Sequence, residues 1–289
     1  MQTGGDFALS PDGKRFVTQR RPLARAGEAR GELWITDLEH STDTRLTTDA
    51  SNNQYPVWSP DGSQVVFTSD RKGGTMNLYQ RASNGTGQDE LLLESNEQKA
   101  AWDWSRDGRF IVYTVRAPKA DDIWALSMMG DKKPSPLLQS EFNKRQAQIS
   151  PDERWLAYTS VESGRPEIYV VPFTLAAKPD SKPVAGKWTV STTGGTQPRW
   201  RGDGKELFYV APDGKLMAVE IKATVAAFDH GAPQALFDLH SETQPLSTAA
   251  SGYVVAPDGK RFLVVTASGG DAQAPPLTVV VNWLAAVKK

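Results

Sequence analysis

The chain is expected to fold as an all-β, six-bladed propeller of four-stranded antiparallel blades, the last of them short of a recognisable fourth strand. Two observations lead there. One turn signature recurs six times, as Ser10-Pro11-Asp12-Gly13, Ser59-Pro60-Asp61-Gly62, Ser105-Arg106-Asp107-Gly108, Ser150-Pro151-Asp152-Glu153, Arg201-Gly202-Asp203-Gly204 and Ala256-Pro257-Asp258-Gly259. The copies stand 45 to 55 residues apart, the period of one four-stranded blade repeated around an axis. The second observation is what lies between the turns: short β-branched and aromatic runs, with almost no stretch of helical periodicity.

The cleanest copy shows how each blade is built. Tyr55 to Ser59 is a short apolar run, Pro60-Asp61-Gly62 is turn chemistry, and Gln64 to Ser69 is a β-branched and aromatic strand. Pro fixes φ at the first corner, Asp caps the local backbone, and Gly takes the positive φ of a tight hairpin. Asn77 to Arg81 supplies a third strand, and Asn84-Gly85 turns the chain into a fourth, Glu90 to Leu93. On this pattern one propeller domain fills 1–289, with blades at about 6–48, 55–93, 101–139, 147–192, 197–238 and 251–284.

Third strands repeat an aliphatic followed by an aromatic, at Leu33-Trp34, Leu78-Tyr79, Ile123-Trp124 and Ile168-Tyr169. First strands carry Trp58, Trp104 and Trp200 just before the turn. Both sets are expected to fill the wedges between blades, so the tryptophans read as architecture. The six turn aspartates read as backbone caps, not as a carboxylate ring.

Two copies depart from the pattern. Glu153 stands where Gly is expected, so that hairpin must use another turn or hold a non-glycine residue in a strained conformation. The last copy offers strands at 252–256, 260–267 and 277–284 but no fourth, and only Met1 to Gly5 precede the first recognisable strand at Asp6 to Leu9. The expectation is a piece of a longer protein whose missing strand, and with it an anchor or catalytic domain, lies upstream.

Composition excludes several classes. Lys and Arg total 33 against 34 Asp and Glu, for a net charge of −1, so no global field favours nucleic acid. Cysteine is absent, which removes disulfides, thiolate metal sites and a cysteine nucleophile. The sequence shows no membrane-length apolar run and no signal peptide. Its three histidines, His40, His230 and His240, lack a partner at zinc-ligand spacing, and no Gly-x-Ser-x-Gly elbow, P-loop or EF-hand occurs. No cofactor and no metal is expected.

Variation concentrates in the loops between second and third strands and in those between blades, which a propeller gathers on one rim of its channel. The candidate binding residues there are Arg20, Arg21, Arg25, Arg30, Arg71, Lys144, Arg145 and His240. Guanidinium forks suit carboxylate or phosphate, and the mixed polar rim suits a protein or peptide partner.

The segment Pro56-Val57-Trp58-Ser59-Pro60-Asp61-Gly62, with Val65 to Arg71 and Asn77-Leu78-Tyr79, resembles the TolB-type, WD-like propeller repeat of bacterial proteins. The later half, with Gly194 to Trp200, Gly204 to Tyr209, Lys215 to Val219 and Val279 to Trp283, resembles the propeller that follows the kinase domain of some bacterial membrane-bound Ser/Thr kinases. The resemblance implies a non-catalytic sensor or scaffold module in the periplasm or another extracytoplasmic compartment. The alternative function is a polysaccharide lyase or hydrolase at the channel mouth, to be recognised by His240 beside a carboxylate and an arginine.

Overall fold

The computed structural model describes residues 2–21, 31–176, 185–224, 227–239, 252–265 and 277–281. These form six antiparallel meander sheets in chain order, with an innermost strand in each: Gln2–Leu9, Asn53–Trp58, Gln98–Trp104, Lys144–Ile149, Thr196–Trp200 and Tyr253–Val255. Every innermost strand touches the next, and the last also touches the first, so the sheets close around a central channel.

Five sheets are complete four-stranded blades; the sixth has three strands. The expectation of six blades is therefore corrected to five four-stranded blades; the sixth sheet, expected to be short of a recognisable fourth strand, has three among the described residues. The turn signature counts inner hairpins, of which there are six, whereas a blade also needs an outer strand, and among the described residues none pairs beyond Leu277–Val281. The first strand runs from Gln2, earlier than expected, with its register shifted between Thr3 and Phe7.

The core is a ring of layers between blades. Leu33, Ile35 and Val17 of the first blade meet Trp58, Phe67 and Tyr79 of the second, and similar layers follow around the ring. Phe7 and Phe16 close it against Val254 and Leu263 of the sixth sheet. At about 25 cal/mol per Å² of apolar surface, burial in such layers is the main force holding neighbouring blades together.

The turns do what their residues dictate. Ser10, Ser59, Ser105 and Ser150 each donate from Oγ to the turn aspartate at 2.5–2.7 Å and accept the amide five residues on at 2.9–3.0 Å. Each of the six aspartates accepts the amide two residues ahead. Glu153 keeps the same turn at φ 58°, the strained option. Its Oε1 accepts the Asp107 amide of the preceding blade at 2.7 Å. This contact stands next to Arg106, which replaces the turn proline of the third blade, so the two departures from the signature are neighbours.

Candidate functional site: the hairpin-turn end of the channel

Antiparallel hairpins put all six Asp-bearing turns at one end of the channel and the described loops between second and third strands, such as Asp70 to Met76, at the other. The large cavity, about 550 Å³, opens at the turn end. Of the expected residues that are described, Arg20, Arg21, Arg71, Lys144 and Arg145, none lines it.

Its wall is organised by one register position, two residues before each turn. That position holds Ala8, Val57, Asp103, Gln148, Arg199 and Val254, and all six line the cavity. One half of the ring, from the sixth sheet through the second blade, is therefore apolar. The other half, from the third to the fifth blade, carries a carboxylate, an amide and a guanidinium. Trp58, Trp102, Trp104 and Trp200 fill the space between these positions. Trp58, Trp104 and Trp200, read from the sequence as mostly architecture, are channel lining as well. Trp58 and Trp200 nonetheless tie blades together, donating from Nε1 to the Ala8 and Gln148 carbonyls of the preceding blades at 3.0 and 3.1 Å.

Bulges aim these side chains. Register shifts interrupt the innermost strands of the second, fourth and fifth blades, where Tyr55, Gln146 and Gln197 take φ of 52°, 58° and 60°. A bulge adds a residue on one strand and re-aims the side chains beyond it. Non-glycine residues in this region cost of order 1–3 kcal/mol each and collect at functional positions. The third blade has its shift beside Trp102, which meets Tyr55 edge to face at 5.3 Å.

Asp103 is the electrostatic centre. Its Oδ1 accepts the Trp104 amide at 2.9 Å and its Oδ2 the Ile149 amide of the fourth blade at 2.8 Å, clamping two blades. Burial pushes its carboxyl up to about 6, against the opposing pull of those amides and of Arg199 and Arg106. The residue keeps one face toward the channel and is half-buried overall, yet protein surrounds it on the other sides. Burial also lowers the Arg199 guanidinium below its usual range. Arg106 is exposed at the mouth and spans the fourth blade, donating from Nη2 to the Gly202 carbonyl of the fifth at 2.8 Å.

A second cavity, of about 110 Å³, lies toward the opposite end and is lined, among others, by Gln54, Lys99, Arg116, Asp121 and the expected residue Arg145. It pairs with buried Asp121. Lys99, 3% exposed, donates to Asn77 Oδ1 at 2.9 Å and to the Glu97 carbonyl at 2.8 Å, and burial lowers its amine to about 8.

Three of the other expected cations, Arg71, Lys144 and Arg20, are held internally. Arg71 bridges Asp49 and Asp89 and stacks on Tyr79 with its Cζ 4.4 Å from the ring centroid. Lys144 is buried against Ser140 Oγ and the Phe142 carbonyl. Arg20 forks onto Asp43 at 2.7 and 2.8 Å and covers Trp34. Arg21 is exposed at the end of its strand. Arg25, Arg30 and His240 lie outside the described residues. The described members of the set, Arg20, Arg21, Arg71, Lys144 and Arg145, do not line one common cavity.

Sequence reasoning missed Asp103, Arg106, Gln148 and Arg199. The signal was present: Asp103-Trp104 and Arg199-Trp200 stand where the second copy has Val57-Trp58. A charge at a position that is elsewhere apolar is visible once the turns are aligned.

Comparisons with known proteins agree with the architecture. A family model described as the TolB beta propeller domain matches residues 3–171. The crystal structure of TolB from Acinetobacter baumannii superposes with a TM-score of 0.71 at 18% identity, covering 94% of this chain and 62% of that one. An uncharacterized protein of Agrobacterium fabrum is 24% identical over 260 residues, 89% of this chain and 82% of its own length. The uncharacterized peptidase YuxL of Bacillus subtilis is 27% identical over 119 residues, 41% of this chain but 18% of that protein. The chain thus spans a minor part of that peptidase and about three-fifths of the TolB structure. No helix among the described residues is long and apolar enough to cross a membrane.

Proposed function

Because the chain belongs to the TolB beta propeller domain family, we propose that it is a non-catalytic recognition and scaffold module that receives a segment of a protein or peptide partner at the hairpin-turn end of its channel. The observation that carries this reading is the ring two residues before the turns, apolar on one half and polar on the other. A preformed concave site of about 550 Å³ falls in the range that holds ligands of a few hundred daltons or a short stretch of chain.

The chemistry present favours recognition over turnover. Acid–base catalysis needs at least two groups converging on a reacting atom. Among the described residues lining the cavity, Asp103 is the one carboxylate, and no histidine stands beside it. Both Asp103 oxygens already hold backbone amides. The peptidase relative is matched over a small part of its length, which fits a shared propeller more readily than a shared reaction. A periplasmic location, and a likeness to the propeller that follows a kinase domain, rest on the resemblance of the repeats alone.

The test is capture of partners from bacterial envelope extract. Arg106→Trp plugs the mouth without altering the core, whereas Arg20 and Arg21 changed together to Ala strip two cations from the opposite end. The reading expects the plugged variant to lose a partner that the stripped variant keeps. The reverse result assigns binding to the opposite rim.

A further inference from the structure

The charges around the turn-end cavity do not balance. Among the described residues its charged lining is Asp103, Arg106 and Arg199, two guanidiniums to one carboxylate; the turn carboxylates Asp107 and Glu153 stand beside the mouth without lining it. The lining carboxylate, Asp103, is engaged with the Trp104 and Ile149 amides. The surplus is positive and sits on the polar half of a funnel whose other half is apolar, which concentrates the field of a charge that open solvent would disperse. The two guanidiniums also differ in kind. Arg199 rises from a strand of the wall, while Arg106 reaches over the mouth from an exposed turn and is held there by one bond to the Gly202 carbonyl.

Building on the recognition reading, we propose that this end of the channel takes an acidic residue of an extended peptide, its aliphatic part against Ala8, Val57 and Val254 and its carboxylate between Arg106 and Arg199. A planar guanidinium presents paired donors to a carboxylate, a geometry that neither lysine nor an amide reproduces. The apolar half of the ring faces the polar half across the channel, so an acidic side chain with a methylene stem meets a matching wall on each side. Arg106 is the movable partner: leaving one backbone carbonyl for an ionised oxygen exchanges a neutral acceptor for a charged one, the stronger bond of the two.

Asp103 then sets the pH dependence. It is the resident anion of the same wall, and an arriving carboxylate meets its repulsion whenever it is ionised. The charged groups acting on it are Arg199 from the fifth blade and Arg106 from its own turn. The neighbouring strands bring Ala8, Tyr55, Val57 and Gln148 to this wall, none of them charged at neutral pH. As pH falls through about 6, Asp103 loses its charge, while a glutamate side chain, with an ordinary value of about 4.3, stays ionised. Binding therefore strengthens toward mild acid, where most carboxylate recognition is unchanged or weakens.

The experiment is isothermal titration of the whole chain with acetyl-Ala-Glu-Ala amide and its Gln counterpart, at pH 7.5 and 5.5 in low salt. The Glu peptide is expected to bind about tenfold more tightly than the Gln peptide, and to gain about fivefold on going to pH 5.5, by removal of one like charge across the cavity. Arg106→Gln, checked for an unchanged melting temperature, is expected to cut Glu-peptide affinity about tenfold at both pH values. Equal affinity for the two peptides, binding by neither, or weaker Glu-peptide binding at pH 5.5 overturns the carboxylate assignment. If any of these occurs while Arg106→Trp still loses its envelope partner, the recognition reading stands without the acidic ligand. If Arg106→Trp keeps that partner, the recognition reading itself fails, whatever the peptides do.

Discussion

Replacing Asp103 by Asn isolates the cost of a charge in the channel wall. In the folded chain the Asp103 carboxyl is raised from 3.8 to about 6 by burial. A raised acid binds its proton more tightly in the folded than in the unfolded chain. Stability from this group is therefore fully present below pH 3.8 and is lost as pH rises through about 6. At about 1.4 kcal/mol per pH unit the whole change is about 3 kcal/mol, and about 2 kcal/mol of it falls between pH 4.5 and 7.5. Asn keeps one acceptor oxygen for the two amides of Trp104 and Ile149 and sets an NH₂ against the other, a loss of about 1–3 kcal/mol at every pH. The variant should therefore be less stable than the parent by about 1–3 kcal/mol at pH 4.5, and close to it at pH 7.5. Urea unfolding of both proteins at the two pH values measures the difference, and the other carboxylates cancel between them. A difference that is the same at both pH values, or that grows toward pH 7.5, would refute the argument; growth would mean that Arg199 and Arg106 outweigh burial.

Three further outcomes are expected from the geometry. Gly62→Ala and Gly259→Ala both place a side chain at positive φ, 70° and 65°, costing about 1–2 kcal/mol. A Cβ at Gly259 would also lie 2.4 Å from Arg201 Cγ and Cδ, against 3.5 Å to the nearest atom at Gly62, so urea midpoints should fall further for Gly259→Ala. Arg71→Ala leaves Asp49 and Asp89 without their shared cation, at 29% and 10% side-chain exposure; it should cost about 2–4 kcal/mol in unfolding while leaving partner capture intact. Trp58→Phe removes the bond to the Ala8 carbonyl that joins the first two blades, and should lower stability by about 1 kcal/mol without abolishing the fold, as read by melting temperature and circular dichroism.

The fold was legible because its signals are local. A Pro-Asp-Gly turn needs only adjacent residues, and the Ser Oγ and Asp Oδ1 bonds at Ser59 and Asp61 are those the turn chemistry demands. Outer strands were less legible: Trp188–Thr189 pairs over two residues where the second blade's fourth strand, Glu90–Leu93, has four, since an exposed edge needs little apolar pattern to be tolerated. The site was legible only across copies. Arg20, Arg71 and Arg145 drew attention as cations in variable loops, but a cation next to an aspartate on a neighbouring strand satisfies itself, as Arg71 does with Asp49 and Asp89. Asp103 and Arg199 lie in sequence beside tryptophans and resemble ordinary strand residues. Their meaning comes from the ring closure, which brings residues some 50 positions apart onto one wall and which no single window of sequence contains.

The claim that recognition takes place at the hairpin-turn end is tested most directly by site-specific photo-crosslinking. A benzophenone side chain introduced at Arg106 stands at the mouth of the turn-end cavity, and one at Lys72, half-exposed and paired with Glu94, stands at the opposite end. In envelope extract the account predicts a discrete covalent adduct from position 106 that is suppressed by excess unlabelled chain, and none of the same mass from position 72. An adduct from position 72 with none from position 106 would contradict it.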